Sequence, residues 1–420
     1  MKRIHVFTSA ACNYIPKVRV LVESIRQHHP DWRIHLALAD EIPAGMDLSA
    51  EPFDEIHPLN SLNIADYRGW AFCHALVELA TAIKPFLLKN LLEREDCGGV
   101  VYLDPDIVVF SPLDEVMNAL EVANIALTPH QMIPESTLGA IMDNEICSLK
   151  HGIYNLGFLA VAPTDTGKAF AGWWSSRTYH FCRADIRNGL FTDQRWIDLV
   201  PAFFEGVCIL RSARLNVAPW NLTTRQVMGD MSVGFTVNGD RLGFYHFTGF
   251  DSGDHQLMAN INGRSSSGVQ TLIDWYLQVT RLLEHDTLSG QPWAYGTFED
   301  GSIIPAGARI VYRERIDLQS AFPDPFSSSV NSYQAWYTSQ GLLEYPELFD
   351  PQSEKSALDR LTSVLSPGFQ AGATAPLNIT RMTAKLGKLL SEPEGIAKTV
   401  RKGLEILRTE SFRGIAKRLQ

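Results

Sequence analysis

The sequence predicts an α/β protein whose central, mostly parallel sheet lies between layers of helices, followed by a mainly helical C-terminal extension. Three observations carry this reading. The chain opens on a strand, a helix and a second strand joined by short connections, an order that gives parallel strands. The run Val100 to Leu103 is β-branched and aromatic throughout, as in a strand buried on both faces. Beyond residue 250 the readable apolar spacing is helical.

Taken in order, Ile4 to Thr8 form the first strand, and the small residues Ser9, Ala10 and Ala11 leave room for a ligand at its end. Val18, Leu21, Val22 and Ile25 keep a helical interval, and Arg33 to Ala39 give the second strand. Phe72, Leu76, Leu79 and Ile83 mark a further helix that Pro85 should break or kink, leaving Lys84 just ahead of the next strand. Gly98-Gly99 introduce Val100 to Leu103. Ser111-Pro112 with Asp114 and Glu115 read as a helix start with cap, proline and acidic first turn. Asn155 to Val161 form another short apolar strand, and Thr192 is a candidate cap for a helix opening at Asp193-Gln194-Arg195-Trp196. Gly243 to Phe250 read as a strand ending in a glycine turn, and residues 252–268 as a loop or linker. Leu272, Trp275, Tyr276, Val279, Leu282 and Leu283 pattern a packed helix. Residues 324–332 and 366–378 carry the composition of boundaries. The expected organisation is a ligand-binding domain over 1–255, an appended segment over 256–345 and a helical, basic tail over 346–420.

With 420 residues the chain exceeds the length at which a single core usually stops growing, so a large domain with an appendage is the default. A formal net charge of -10 argues against a nucleic-acid-binding protein, which presents a dominant basic surface. The six cysteines (Cys12, Cys73, Cys97, Cys147, Cys182 and Cys208) form no C-x-x-C pair, which indicates neither a cysteine zinc site nor a disulfide scaffold and fits a reducing compartment. Lys2 and Arg3 are followed by His5, Thr8 and Ser9, which interrupt any signal-like apolar region, and no 18-residue apolar run marks a membrane span. The expected location is cytoplasmic. Between Arg381 and Gln420, ten Lys/Arg face four Glu, and Ile396, Val400, Leu404, Leu407, Ile415 and Leu419 recur at helical intervals. Such a basic amphipathic helix either lies peripherally on the anionic inner face of a membrane or packs on the chain's own body or a second subunit.

The chemistry concentrates at Asp104-Pro105-Asp106, two carboxylates one residue apart at the carboxyl end of a buried strand. Ligands of open α/β sheets bind at that edge. Pro105 stiffens the turn, and two hard oxygen ligands suit Mn²⁺ or Mg²⁺ carrying a substrate's phosphates. The plainer reading is a solvated acidic turn closing a strand.

Together these pieces resemble the GT-A (Rossmann-like) glycosyltransferases, in particular the retaining nucleotide-sugar transferases that include glycogenin and bacterial lipopolysaccharide galactosyltransferases. The resemblance covers roughly residues 1 to 255. It rests on Thr8-Ser9-Ala10, on Asp104-Pro105-Asp106, on Asn155-x-Gly157, and on Asp193-Gln194 followed by His246-Phe247-Thr248-Gly249. The resemblance implies a metal-dependent transferase, of hexosyltransferase type, acting on a nucleotide-sugar donor, most simply a UDP-sugar, in bacterial cell-surface polysaccharide synthesis. Asp104, Asp106 and His246 would hold Mn²⁺ (or Mg²⁺). Thr8, Ser9, Ala10, Lys84, Asp104, Asn155, Gly157 and Gly249 would line the donor, and Asp193 and Gln194 would act beside the sugar. The acceptor would be a glycan or a lipid-linked sugar. Where the family commonly carries a lysine shortly after H-F-x-G, this chain reads Phe250-Asp251-Ser252-Gly253-Asp254. Arg68, between Tyr67 and Trp70, is a candidate for stacking on or pairing with the nucleotide. Two other readings stand beside this one: a haloacid-dehalogenase-type phosphatase with Asp104 as nucleophile and Asp106 as acid/base, and a non-catalytic nucleotide-sugar-binding protein.

Overall fold

The computed structural model describes residues 2–264, 266–283 and 285–363. In chain order its strands are β1 (Arg3–Ala10), β2 (Arg33–Leu38), β3 (Glu55–Pro58), β4 (Cys97–Leu103), β5 (Ile107–Val109), β6 (Ile125–Pro129), β7 (Tyr154–Val161), β8 (Val207–Ile209), β9 (Val227–Asp230), β10 (Gly234–Val237), β11 (Asp240–Arg241) and β12 (Phe244–His246). Seven of them form the central sheet, in the order β3-β2-β1-β4-β7-β6-β8. β3, β2, β1 and β4 are mutually parallel, β6 and β8 point the same way, and β7 alone runs against its neighbours β4 and β6.

The strands are apolar almost without interruption because both faces are covered. On β4, Val100 and Tyr102 enter one apolar cluster while Val101 and Leu103 enter the other, as the two-residue period of a strand requires. The Ile15–His28 helix buries Val18, Leu21, Val22 and Ile25 on one face. The Lys84–Leu92 and Asp165–Phe181 helices cover the other through Leu87, Leu88, Leu91, Phe170 and Trp174. Each fully buried side chain of this size contributes about 1.5–3 kcal/mol.

Several local expectations are corrected. The break expected at Pro85 is found, with Leu76–Ala82 ending just ahead of it, but Phe72 belongs to a separate Tyr67–Phe72 helix, and Pro85 itself sits in the first turn of Lys84–Leu92, where a missing N–H costs nothing. The helix after Ser111-Pro112 begins only at Asp114, since the Ser111 hydroxyl is spent on the Leu242 carbonyl. Thr192 caps nothing: its backbone is left-handed (φ 46°) and its hydroxyl donates to Asp193. The expected loop over 252–268 contains the Asp254–Asn262 helix and the start of Ser267–Leu283. β12 does not join the central sheet but pairs with β5 as a separate antiparallel ribbon.

Residues 291–363 fold back onto the apolar cluster that Val100 and Tyr102 enter. Tyr295, Phe298, Tyr312, Tyr333 and Leu348 belong to the same apolar cluster as Phe72 and Leu79. The Phe72 ring meets Tyr312, Phe326 and Tyr333 edge-on. The buried Arg309 guanidinium donates to the carbonyls of Phe72, His74 and Tyr295. The described residues pack as one unit. The 366–378 linker and the basic tail lie outside the described residues. Among the described residues no helix is long and apolar enough to cross a membrane.

Candidate active site

The site forms because two strand ends and a ribbon meet at one sheet edge. β4 stops at Leu103, and the Asp104 N–H donates to the Gly157 carbonyl (2.8 Å) of the antiparallel β7. Because β7 runs against β4, its first residues, Tyr154 and Asn155, stand at the edge where β4 ends. The Asp104-Pro105-Asp106 turn closes with Ile107 N–H on the Asp104 carbonyl (3.0 Å). β5 then pairs with β12, with Ile107 opposite His246 and the Phe247 N–H on the Asp106 carbonyl (2.9 Å).

The ribbon therefore brings His246 to the aspartates. Its Nε2 lies 3.1 Å from Asp106 Oδ1 and 3.6 Å from Asp104 Oδ2. One ligand atom from each of the three residues falls within 4.8 Å of the others. On its other side, His246 Nδ1 is 3.2 Å from Asn155 Oδ1, which also accepts from the Gly157 N–H (3.2 Å). An acceptor there keeps the hydrogen on Nδ1 and leaves Nε2 free to bind a cation, the usual arrangement around a metal-ligating histidine. Gly157 is required by space: a Cβ would stand 2.5 Å from His246 Cε1 and 2.8 Å from Asn155 Oδ1. Two carboxylates and one imidazole fit Mn²⁺ better than Mg²⁺. Without a cation, burial works against a charged His246, but Asp106 and Asp104 outweigh it and raise its pKa. Burial likewise opposes an ionised Asp106, and His246 overturns that and lowers it.

A second charged layer stands beside the first. Lys84 is only 4% exposed, with Nζ 3.3 Å from Asp104 Oδ1, 3.2 Å from Asp193 Oδ2, and 4.4 Å from the centre of the Tyr102 ring. Burial would discharge the lysine, yet the two aspartates hold its pKa above the ordinary value. Burial raises Asp193, against the pull of Lys84. The Tyr102 hydroxyl donates to Asp104. The Gln194 amide is engaged at both ends: Oε1 accepts from Leu156 N–H (2.9 Å) and from Asn155 Nδ2 (3.4 Å), while Nε2 donates to the His151 carbonyl (3.1 Å). Gln194 thus ties the start of β7 in place.

The remaining sequence candidates are placed as follows. Thr8, Ser9 and Ala10 are buried at the end of β1, where the Ser9 hydroxyl is committed to the Ala80 carbonyl (2.6 Å). Gly249 adopts φ 68°, a conformation glycine takes without strain, and its carbonyl receives the His255 N–H. Arg68 pairs with Glu41 and Asp324 and lies over the Phe326 ring. Where the resemblance leads one to expect a lysine, Asp251 binds Lys17 Nζ (2.5 Å) and the Tyr14 hydroxyl (3.3 Å).

Sequence reasoning missed Tyr102, Trp220 and Lys17. Tyr102 was detectable, since it stands two residues before Asp104, an interval that puts both on one face of extended backbone. Trp220 packs edge-on against His246 at 5.6 Å, from a turn that carries no sequence signal.

No known family model matches the chain. Two proteins of Bacillus subtilis (strain 168), the uncharacterized YfnD and YfnF, are each 23% identical to it. The matches cover 60% and 58% of this chain and 79% and 82% of theirs. Among solved structures, the chain is similar to the galactosyltransferase LgtC in complex with donor and acceptor sugar analogs (17% identity, 68% of this chain, 96% of that one, TM-score 0.40). It is also similar to the glycosyltransferase GlyE of Streptococcus pneumoniae TIGR4 (16% identity, 51% and 46% covered, TM-score 0.34) and to mouse xyloside xylosyltransferase 1 (12% identity, 59% and 98% covered, TM-score 0.34).

Proposed function

We propose that this chain is a metal-dependent glycosyltransferase that moves a hexosyl group from a nucleoside-diphosphate sugar, a UDP-sugar in the simplest case, to a glycan or lipid-linked acceptor. The observation that carries the reading is the convergence of Asp104, Asp106 and His246 at the carboxyl edge of the sheet, with Asn155 orienting the imidazole and Gly157 making room for it. Asp104, Asp106 and His246 would hold Mn²⁺ (or Mg²⁺), which when bound neutralises charge on the diphosphate leaving group.

The chain's own groups do the rest. Lys84 stays charged between Asp104 and Asp193 and offsets the negative charge collected at this edge. Asp193, held by Lys84 through one oxygen and by the Thr192 hydroxyl through the other, would act beside the sugar as a ligand for hydroxyls or a stabiliser of positive charge at the anomeric carbon. Gln194 and Asn155 position the β7 edge against which the donor lies. Lys17, paired with Asp251 in the turn that follows Gly249, takes the part of the expected lysine. The phosphatase reading leaves His246, Asn155 and Gly157 without a role. A cytoplasmic enzyme whose basic tail rests on the inner membrane face would meet a lipid-linked acceptor there. The test is incubation of the purified chain with Mn²⁺ and a panel of nucleotide sugars, following release of nucleoside diphosphate. Release from one donor supports the reading, and phosphate release from simple phosphomonoesters in its place overturns it.

A further inference from the structure

A second set of metal-ligating side chains lies at the amino-terminal edge of the parallel strands, the opposite edge from Asp104. The register places His35 opposite Glu55 and Ala37 opposite His57, and sets Phe7 opposite His35. With a period of two, His5, His35, Glu55 and His57 therefore project from one face of the sheet. His35 Nδ1 is 3.1 Å from His57 Nε2, and Glu55 Oε2 is 3.8 Å from the same nitrogen. All three residues offer a ligand atom within 4.8 Å of one another. Behind them, His35 Nε2 is 2.9 Å from His5 Nδ1, and His5 Nε2 is 3.4 Å from Asp96 Oδ1. The side chains of His57 and Glu55 are 19% and 34% exposed, so the cluster opens to solvent on one side while His5 and His35 close the other.

We propose that His35, Glu55 and His57 form a transition-metal site, selective for Zn²⁺, with the fourth position taken by water. Ligand bonds of about 2.0–2.1 Å in a tetrahedron separate donor atoms by about 3.3 Å, which the observed 3.1 and 3.8 Å bracket. Two imidazoles with one carboxylate suit Zn²⁺, whereas the oxygen-rich Asp104 site suits a harder ion. His5 and Asp96 supply the outer support. A hydrogen on His35 Nε2 is accepted by His5 Nδ1, which leaves His35 Nδ1 as the lone-pair nitrogen facing His57. Burial lowers the pKa of both His35 and His57, keeping the imidazoles neutral and ready to ligate.

The plain alternative is a column of neutral histidines, with one hydrogen shared between His35 and His57 and Glu55 neutralised by Arg94 (2.9 Å). The metal would displace that one hydrogen and draw Glu55 inward. It would then fasten β3, a four-residue strand at the margin of the sheet, to β2. This inference does not depend on the transferase reading.

The test uses the full chain carrying Asp106→Asn and His246→Asn, so that the other site is silent, with Co²⁺ as a visible-absorbing probe and Zn²⁺ as competitor. One equivalent of Co²⁺ giving tetrahedral d–d bands, displaced by Zn²⁺, is expected. His57→Ala or Glu55→Gln should weaken binding by more than 100-fold, and His5→Ala by about 10–100-fold, the range for an outer support. If His57→Ala melts abnormally, His57→Gln replaces it. Absence of the bands, or bands unchanged in folded Glu55→Gln and His57 variants, overturns the site.

Discussion

Gly157→Ala is the smallest change that should disable the site while sparing the fold. The added Cβ would stand 2.5 Å from His246 Cε1, 2.7 Å from Nδ1 and 2.8 Å from Asn155 Oδ1, where ordinary contact begins at 3.4 Å. The ring has to retreat by close to 1 Å, as the gap between 2.5 and 3.4 Å requires. It has little room to do so, being 2% exposed with the Trp220 ring edge-on against it. Metal sites tolerate ligand displacements of about 0.2 Å, so the imidazole is effectively withdrawn from the cation. Mn²⁺ affinity should fall by at least about 100-fold, the upper end of what loss of an outer support costs. Overpacking of this kind costs about 1–3 kcal/mol, which lowers Tm by only several degrees in a chain of this size. Isothermal titration with Mn²⁺ reads the first quantity and calorimetric melting the second. Wild-type Mn²⁺ affinity in a folded Gly157→Ala protein would refute the claim that His246 is a ligand. Complete loss of folding would show that the glycine serves packing alone.

Two further predictions address the charges around the site and the core. Lys84→Met leaves the buried Asp193 without its cation beside the part-exposed Asp104, and stranding a buried charge in this way costs about 3–5 kcal/mol, so Tm should drop clearly and recover most of the way in Lys84→Met/Asp193→Asn. A Lys84→Met protein as stable as wild type would contradict the ion-pair account. His74 is buried with Nδ1 on the Trp70 carbonyl (2.7 Å), and burial pushes its pKa down to about 3 from 6.5. The unfolded chain therefore takes up the proton first. The stability His74 allows is complete above pH 6.5 and is lost as pH falls from 6.5 towards 3, at a limiting rate of about 1.4 kcal/mol per pH unit. Urea melts between pH 7 and 4 should show a shallower decline in His74→Gln, and an unchanged slope would reject the assignment.

Much of the fold was legible because β1, β2 and β4 are buried on both faces and are mainly apolar, with Val100 to Leu103 an unbroken run. The reversal of β7 was not legible, since an apolar strand buried on both sides has the same pattern in either direction. That reversal matters for the site, because it sets Asn155 and Gly157 at the edge where Asp104 stands. The carboxylates and His246 were recognisable from motif spacing. Lys84 was recognisable as a candidate, but its pairing with Asp104 and Asp193 was not, nor was Trp220, because these residues lie far apart in the chain and only the fold brings them together. The His35, Glu55 and His57 cluster was passed over for the same reason: alternation within each strand is visible, but the register between β2 and β3 is not.

The most direct measurement of the central claim is Mn²⁺-dependent release of nucleoside diphosphate by the wild-type chain and by Asp106→Ala, with Tm recorded for both. Asp106 lies at the edge of the sheet, paired with His246 and outside the apolar clusters of the core, so its loss should leave the fold intact. The account predicts turnover by the wild type that chelation abolishes, and none by a variant that melts within a few degrees of it. Equal turnover in Asp106→Ala, or turnover indifferent to chelation, would contradict it.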